Sequence, residues 1–259
     1  MGSGGAETVT QHGPTVAVIQ ARMTSTRLPG KILLPLAGKP ILARVVERAR
    51  AIAGIDKVVV AIPDGTAHAP VASLCATLRT PVVRGPEQDV LKRTLMAAEA
   101  HGAETVVRLT SDCPFLDPRA SAAIVAAFHA SGAAYASNAM ESGYPLGFDT
   151  QVARLSALRE ADAEAADPYE REHVTPFLWR RPERYPALYL DHHPNLRHWR
   201  LVVDTKDDYE MARRVYDELA ARDALFGLEA LRDLFATRPD LLALNAQVKQ
   251  TPYEGLPRA

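Results

Sequence analysis

Two cysteines in 259 residues, Cys75 and Cys113, make no disulfide framework and show no metal-ligand spacing. A reducing cytosol is the default setting for such a chain. No apolar run reaches the ~20 residues that a membrane span requires. An excess of one charge is also missing: 30 basic residues face 31 acidic ones, for a formal net charge of -1. General binding to nucleic acid or a membrane surface, which needs a large basic excess, is disfavoured. There is no internal repeat and no Pro/Gly/Ser-rich linker that would cut the chain in two. Residues 1–13 are Gly/Ser/Thr-rich without a hydrophobic core, and read as a loose leader rather than a signal peptide. Residues 14–259 then form one domain, long enough to bury a substantial core.

What is present is concentrated between Val16 and Leu42. Val16-Ala17-Val18-Ile19 is apolar throughout, the pattern of a short strand covered on both faces. The chain then turns basic. Arg22, Arg27, Lys31 and Lys39 fall within eighteen residues without one carboxylate among them. Pro29, Pro35 and Pro40 stop a helix from running across the segment, and Gly30 and Gly38 loosen it. A cationic loop at the carboxyl end of a first strand is where open α/β sheets bind ligands, and unpaired guanidinium and ammonium groups suit a polyphosphate. The plainer alternative is a solvated basic loop; the clustering and the lack of compensating acids favour phosphate. The turn lacks the G-x-G-x-x-G of a dinucleotide site.

Strand and helix alternate four times in the first ~130 residues, with connections too long for hairpins, which is the signature of parallel βαβ units. Strands are expected at 58–62, 81–84 and 105–109, and helices at 41–51, 68–78, 89–101 and 117–130, with Asp89 and Asp117 in capping positions. The second half is less regular. Strands are expected near 135–138, 148–154, 188–190 and 199–203, and helices at 156–166, 170–179, 207–221 and 228–236. The fold class is therefore α/β: a doubly wound, mostly parallel central sheet, with residues 141–195 as a smaller inserted excursion on it.

Asp112 follows the strand at 105–109, and Asp204 follows the apolar run before it, so both belong at the ligand-binding end of the sheet. Two such carboxylates can share one Mg²⁺, which prefers few carboxylates plus phosphate oxygens and water. Either alone would be an ordinary turn or cap residue. Asp191-His192-His193 has no helical i, i+4 histidine pair and no cysteine, and reads as exposed loop rather than a zinc site.

The run ARMTSTRLPGKILLPLAGKPIL resembles the opening signature of cytidylyltransferases that activate sugars and sugar acids. RGPEQDVLKR at 84–93, RLTSDCPFLDP at 108–118, YPLGFDTQV at 144–152, REHVTP at 171–176 and WRLVVDTKDDYE at 199–210 follow in order. Together they are similar to the spore coat polysaccharide biosynthesis protein F branch, related to the enzymes activating 3-deoxy-manno-octulosonate and acylneuraminate. The resemblance implies a Rossmann-like nucleotidyltransferase that moves CMP from CTP to an acceptor oxygen and releases pyrophosphate. Arg22 and Lys31 would hold the phosphates, with Arg27 nearby and backbone at Ala21 approaching the base. Asp112 would hold Mg²⁺ on the α-phosphate, with Asp204 as its second carboxylate. Gln88, Asp89 and Val90 stand where relatives line cytosine and ribose, although Asp89 also fits a helix cap. Asp149, Glu172 and His173 match positions facing the acceptor or a dimer contact. The resemblance further implies a cytoplasmic homodimer working in surface polysaccharide or glycan biosynthesis on a sugar, sugar acid, polyol or phosphonate.

Two alternatives remain at this point. A glycosyltransferase using a nucleotide-sugar donor would share the fold, but would be expected to carry a D-x-D triplet where this chain has Ser111-Asp112-Cys113. A non-catalytic nucleotide-binding subunit is disfavoured by the joint presence of Arg22, Lys31, Asp112 and Asp204.

Overall fold

The computed structural model describes residues 12–139 and 142–250. The chain begins with β1 (Thr15–Gln20), followed by a loop, one 3-10 turn at Lys31–Leu33, and the two-residue strands β2 (Pro35–Leu36) and β3 (Lys39–Pro40), paired as a small antiparallel ribbon. Next come α1 (Ile41–Arg50), β4 (Lys57–Pro63), α2 (Ala69–Thr77), β5 (Val82–Gly85), α3 (Val90–Ala100) and β6 (Thr105–Thr110). After these follow α4 (Pro118–Ser131), β7 (Tyr135–Ser137), β8 (Gln151–Arg154), α5 (Leu155–Glu164), α6 (Pro168–His173), α7 (Pro176–Trp179), β9 (Ala187–Tyr189), α8 (Lys206–Leu219), α9 (Leu228–Thr237) and α10 (Asp240–Ala243).

Seven strands form the main sheet in the order β5-β4-β1-β6-β8-β7-β9. β1 pairs in parallel with β4 on one side and β6 on the other, and β8 runs against both of its neighbours. The expected doubly wound, mostly parallel sheet is what the chain builds. From β1 the chain moves outward through β4 to β5, then returns to place β6 on the opposite flank. Connections therefore leave β1 and β6 in opposite directions, opening a crevice at the carboxyl ends of these two strands.

Alternation along β1 explains why it reads as uniformly apolar. Ala17 and Ile19 face a layer containing Val45 of α1, Ile124 of α4 and Val215 of α8. Val16 and Val18 face a second layer with Leu91 and Leu95 of α3, Leu158 of α5 and Trp179 of α7. All four β1 residues are fully buried, and such burial stabilises by about 1.5–3 kcal/mol per large aliphatic side chain.

Expected helix starts and stops hold. Asp89 accepts a hydrogen bond from Lys92 N, Asp117 accepts from Arg119 N and Ala120 N, and Gly132 ends α4 in the left-handed conformation. Three expectations are corrected. The helix expected over 170–179 is two short helices, α6 and α7. Val174 between them has φ of 73°, and Pro176 has no N–H to continue the ladder. The strand expected at 148–154 begins only at Gln151, because Gly147 at φ of 104° turns the chain before it. The strand expected at 199–203 is outside the sheet. It makes an isolated parallel bridge, Leu146 to Arg200, with Leu146 N donating to Trp199 O and Leu201 N donating to Leu146 O. The region 141–195, of which residue 141 lies outside the described residues, supplies β8 and β9 to the main sheet. The leader at 1–13 likewise falls outside them up to residue 11.

Candidate active site

The loop after β1 leaves the sheet with Ala21 N donating to Ala61 O at 3.0 Å, and then folds on itself. Gly30 N donates to Met23 O, and Gly30 adopts φ of 69°, a left-handed conformation that glycine takes at little cost. This turn starts the 3-10 helix and aims Lys31 back toward the crevice. Met23 N–H donates to Nδ1 of His68, a buried histidine that desolvation holds below its ordinary pKa, so its ring serves as a neutral acceptor fixing the loop.

The extended run outside the sheet delivers the second carboxylate. Val203 N donates to the carbonyl of Asp112 at 2.9 Å, which brings Asp204 beside Asp112. Between them stands Lys31. Its Nζ lies 2.7 Å from Asp112 Oδ2 and 2.7 Å from Asp204 Oδ1. Burial disfavours the ammonium, but the two carboxylates outweigh it and raise the Lys31 pKa above its ordinary value. Burial likewise opposes ionisation of Asp112, yet Lys31 outweighs it and holds that carboxyl below the usual range. Asp204 also receives Arg27 Nη2 at 2.9 Å and Arg200 Nη2 at 3.0 Å.

Asp204 is itself held by a buried carboxylate. Asp208 accepts from Asp204 N at 3.0 Å and from Thr205 N at 2.9 Å, while Arg200 Nε donates to it at 2.8 Å and Asn245 Nδ2 at 2.9 Å. Thr205 and Asp208 form a capping box at the start of α8, so the same contacts that begin the helix fix the Asp204 backbone.

A cavity of about 250 Å³ opens on this cluster at the carboxyl ends of β1 and β6. Of the expected nucleotide-side residues, it is lined by Ala21, Arg22, Arg27, Lys31 and Val90, and by both carboxylates, Asp112 and Asp204. Glu172 and His173 of α6 complete the wall, with Arg22 Nη2 3.9 Å from Glu172 Oε1 in a half-exposed pair of little energetic weight. Three expected residues do not line it. Gln88 is exposed on the β5–α3 turn, Asp89 is engaged as the α3 cap and by Arg171, and Asp149 receives Arg197 Nη1 at 3.1 Å.

Sequence reading missed Gln20, Arg93, Arg108 and Thr110, which also line the cavity. Arg108 left a signal: one charge inside the apolar strand TVVRL, whose neighbours Val107 and Leu109 are buried. A larger cavity of about 490 Å³, with Gly13, Glu104, Thr105 and Arg154 among its lining, lies at the amino ends of the parallel strands, away from these carboxylates. No group of three or more His, Cys, Asp or Glu side chains that would hold a metal ion occurs among the described residues.

A cationic loop and two carboxylates at the switch point of a doubly wound sheet make a candidate site for a phosphate-bearing ligand. The family model for cytidylyltransferases matches residues 16–242, and the chain belongs to that family, whose members are CTP-dependent nucleotidyltransferases. It is 32% identical to the spore coat polysaccharide biosynthesis protein SpsF of Bacillus subtilis over 232 residues, covering 86% of this chain and 94% of that one. It is 36% identical to the 3-deoxy-manno-octulosonate cytidylyltransferase of Anaeromyxobacter dehalogenans over 148 residues, 56% of this chain and 60% of that one. A solved cytidylyltransferase from Leptospira borgpetersenii superposes with a TM-score of 0.85 at 27% identity, over 93% of this chain and all of the other. No described helix is long and apolar enough to cross a membrane.

Proposed function

We propose that this cytidylyltransferase joins CMP from CTP to an oxygen of a small acceptor, releases pyrophosphate, and serves surface polysaccharide or glycan synthesis. One observation carries the roles of its residues: Lys31 lies between Asp112 and Asp204, with Arg22 and Arg27 on the same cavity. The acceptor oxygen attacks the α-phosphorus as the bond to pyrophosphate breaks. Arg22, Arg27 and Lys31 bind the triphosphate and stabilise negative charge on the departing pyrophosphate. Glu172 and His173 close the cavity on the acceptor side.

The donor set fits a hard divalent cation such as Mg²⁺. Asp112 and Asp204 converge on one point, both offer oxygen, and they leave the remaining positions for phosphate oxygens and water. Bound there, the cation would neutralise phosphate charge as a Lewis acid. The Lys31 ammonium stands at that point, so the reading requires it to turn from the carboxylates to the phosphates when nucleotide and cation bind.

The test is pyrophosphate release with CTP and the other three nucleoside triphosphates against sugars, sugar acids, polyols and phosphonates. Release that requires CTP and one acceptor class supports the reading; CTP-independent transfer from a nucleotide-sugar would replace it with the glycosyltransferase.

A further inference from the structure

Arg108 has no part in the reading above, yet it borders the cavity. It lies on β6, in register with Val18 of β1 and Gln151 of β8. A guanidinium on an interior strand must find acceptors. Arg108 finds two neutral ones: Nη1 donates to Gln151 Oε1 at 2.7 Å and Nη2 donates to Gln20 Oε1 at 3.2 Å. Its Nε is buried without a partner. No carboxylate pairs with it among the described residues, and those on the cavity are engaged elsewhere: Asp112 and Asp204 by Lys31, and Glu172 by Arg22. Two amides thus orient the fork without neutralising its charge. The side chain is half-buried, with its Nε out of reach of solvent, so a charge held there without a counter-ion favours an anionic ligand group.

We propose that Arg108, oriented by Gln20 and Gln151, receives an acidic group of the acceptor, a carboxylate or phosphonate, and so sets the enzyme's preference for acidic over neutral acceptors. The inference rests on the nucleotidyl-transfer reading for its choice of anion. A triphosphate is the other source of negative charge, but Lys31 and Arg27 are gathered at Asp112 and Asp204, whereas Arg108 is held from β8 by Gln151.

Isothermal titration distinguishes the sources, with 3-deoxy-manno-octulosonate and N-acetylneuraminate as acidic probes, ribitol and mannitol as neutral ones, and CTP titrated separately. Wild-type protein is expected to bind at least one acid about tenfold or more tightly than the neutral probes. Arg108→Met should lose about tenfold or more for that acid, keep its CTP affinity, and be partly rescued in Arg108→Lys, which retains the cation and guards against a variant that merely misfolds. Equal acid binding by wild type and Arg108→Met overturns the proposal, as does preference for the neutral probes or no binding of either acid. Loss of CTP in step with the acid assigns the arginine to the triphosphate instead. If wild type binds the acid but neither binds CTP nor releases pyrophosphate, the reaction assignment fails while the role of Arg108 stands.

Discussion

The backbone N–H of Val203 donates to the carbonyl of Asp112 at 2.9 Å, joining two segments far apart in the chain. That bond sets the Asp112 and Asp204 side chains on one ammonium, Lys31 Nζ, at 2.7 Å each. The cation that this pair of carboxylates holds is part of the protein itself.

Lys31→Met should therefore act in two directions. CTP affinity and turnover should fall together, by about tenfold or more, because a charged phosphate contact is lost. Binding of Mn²⁺ without nucleotide should instead strengthen by about tenfold, because the competing ammonium is gone. Electron paramagnetic resonance of free Mn²⁺ measures the second effect apart from activity. Unchanged Mn²⁺ affinity would remove Lys31 from competition for that point.

Asp112→Asn keeps the side chain's shape and removes its charge. Pyrophosphate release should drop by about a hundredfold or more, the scale of losing a group that stabilises transition-state charge. Far-ultraviolet circular dichroism should stay as in wild type. Near-normal release with saturating Mg²⁺ would show that Asp112 does not act on the phosphates.

Asp208 offers a pH test. Burial opposes its ionisation, but hydrogen bonds from Arg200 and Asn245 outweigh that and keep its folded pKa below the ordinary carboxylate value. A carboxyl lowered on folding adds stability that is present above its unfolded pKa of about 3.9 and lost as pH falls through the folded value. Asp208→Asn should cost about 1–3 kcal/mol near pH 7 by removing the buried charge that Arg200 Nε meets, with Asp204 remaining as the other partner of Arg200. It should also flatten the acid limb of stability against pH, which urea melts between about pH 3 and 7 would read. A parallel acid limb in both proteins would contradict this role.

Arg171 of α6 joins the start of α3 to α5. It ion-pairs with Asp89, the α3 cap, and donates from Nη2 to Asp162 Oδ1 at 2.7 Å and from Nη1 to Asp162 O at 2.7 Å. In a double-mutant cycle of Asp89→Asn and Arg171→Met, the coupling energy should be about 0.5–3 kcal/mol. CTP affinity should change less than threefold in Asp89→Asn, since its carboxylate is spent on α3 and Arg171 (a cap exchange costs at most about 1 kcal/mol). A large loss of CTP binding with wild-type stability would instead return Asp89 to the ribose.

Much of the fold was legible because its first half obeys local rules. Val16 to Ile19 and Val58 to Ile62 are apolar because helices cover both faces, and Asp89, Asp117 and Gly132 mark helix ends through contacts with near neighbours in sequence. The helix over 170–179 was misread because periodicity continued across Pro176 while the backbone did not. The run at 199–203 has strand composition but pairs with Leu146 and Asp112, and no pattern within it names those partners.

By itself, then, the sequence determined the alternating α/β order, a basic loop after the first strand, and two carboxylates at the ends of apolar runs. Each follows from side-chain type and spacing over a few residues. Tertiary structure alone decided that Lys31 lies between those carboxylates, that Asp89 serves Arg171, and that Arg108 borders the cavity with only amides for partners. These are matters of which charge meets which, and they depend on strand register and chain crossings that bring distant residues within 3 Å or so of one another.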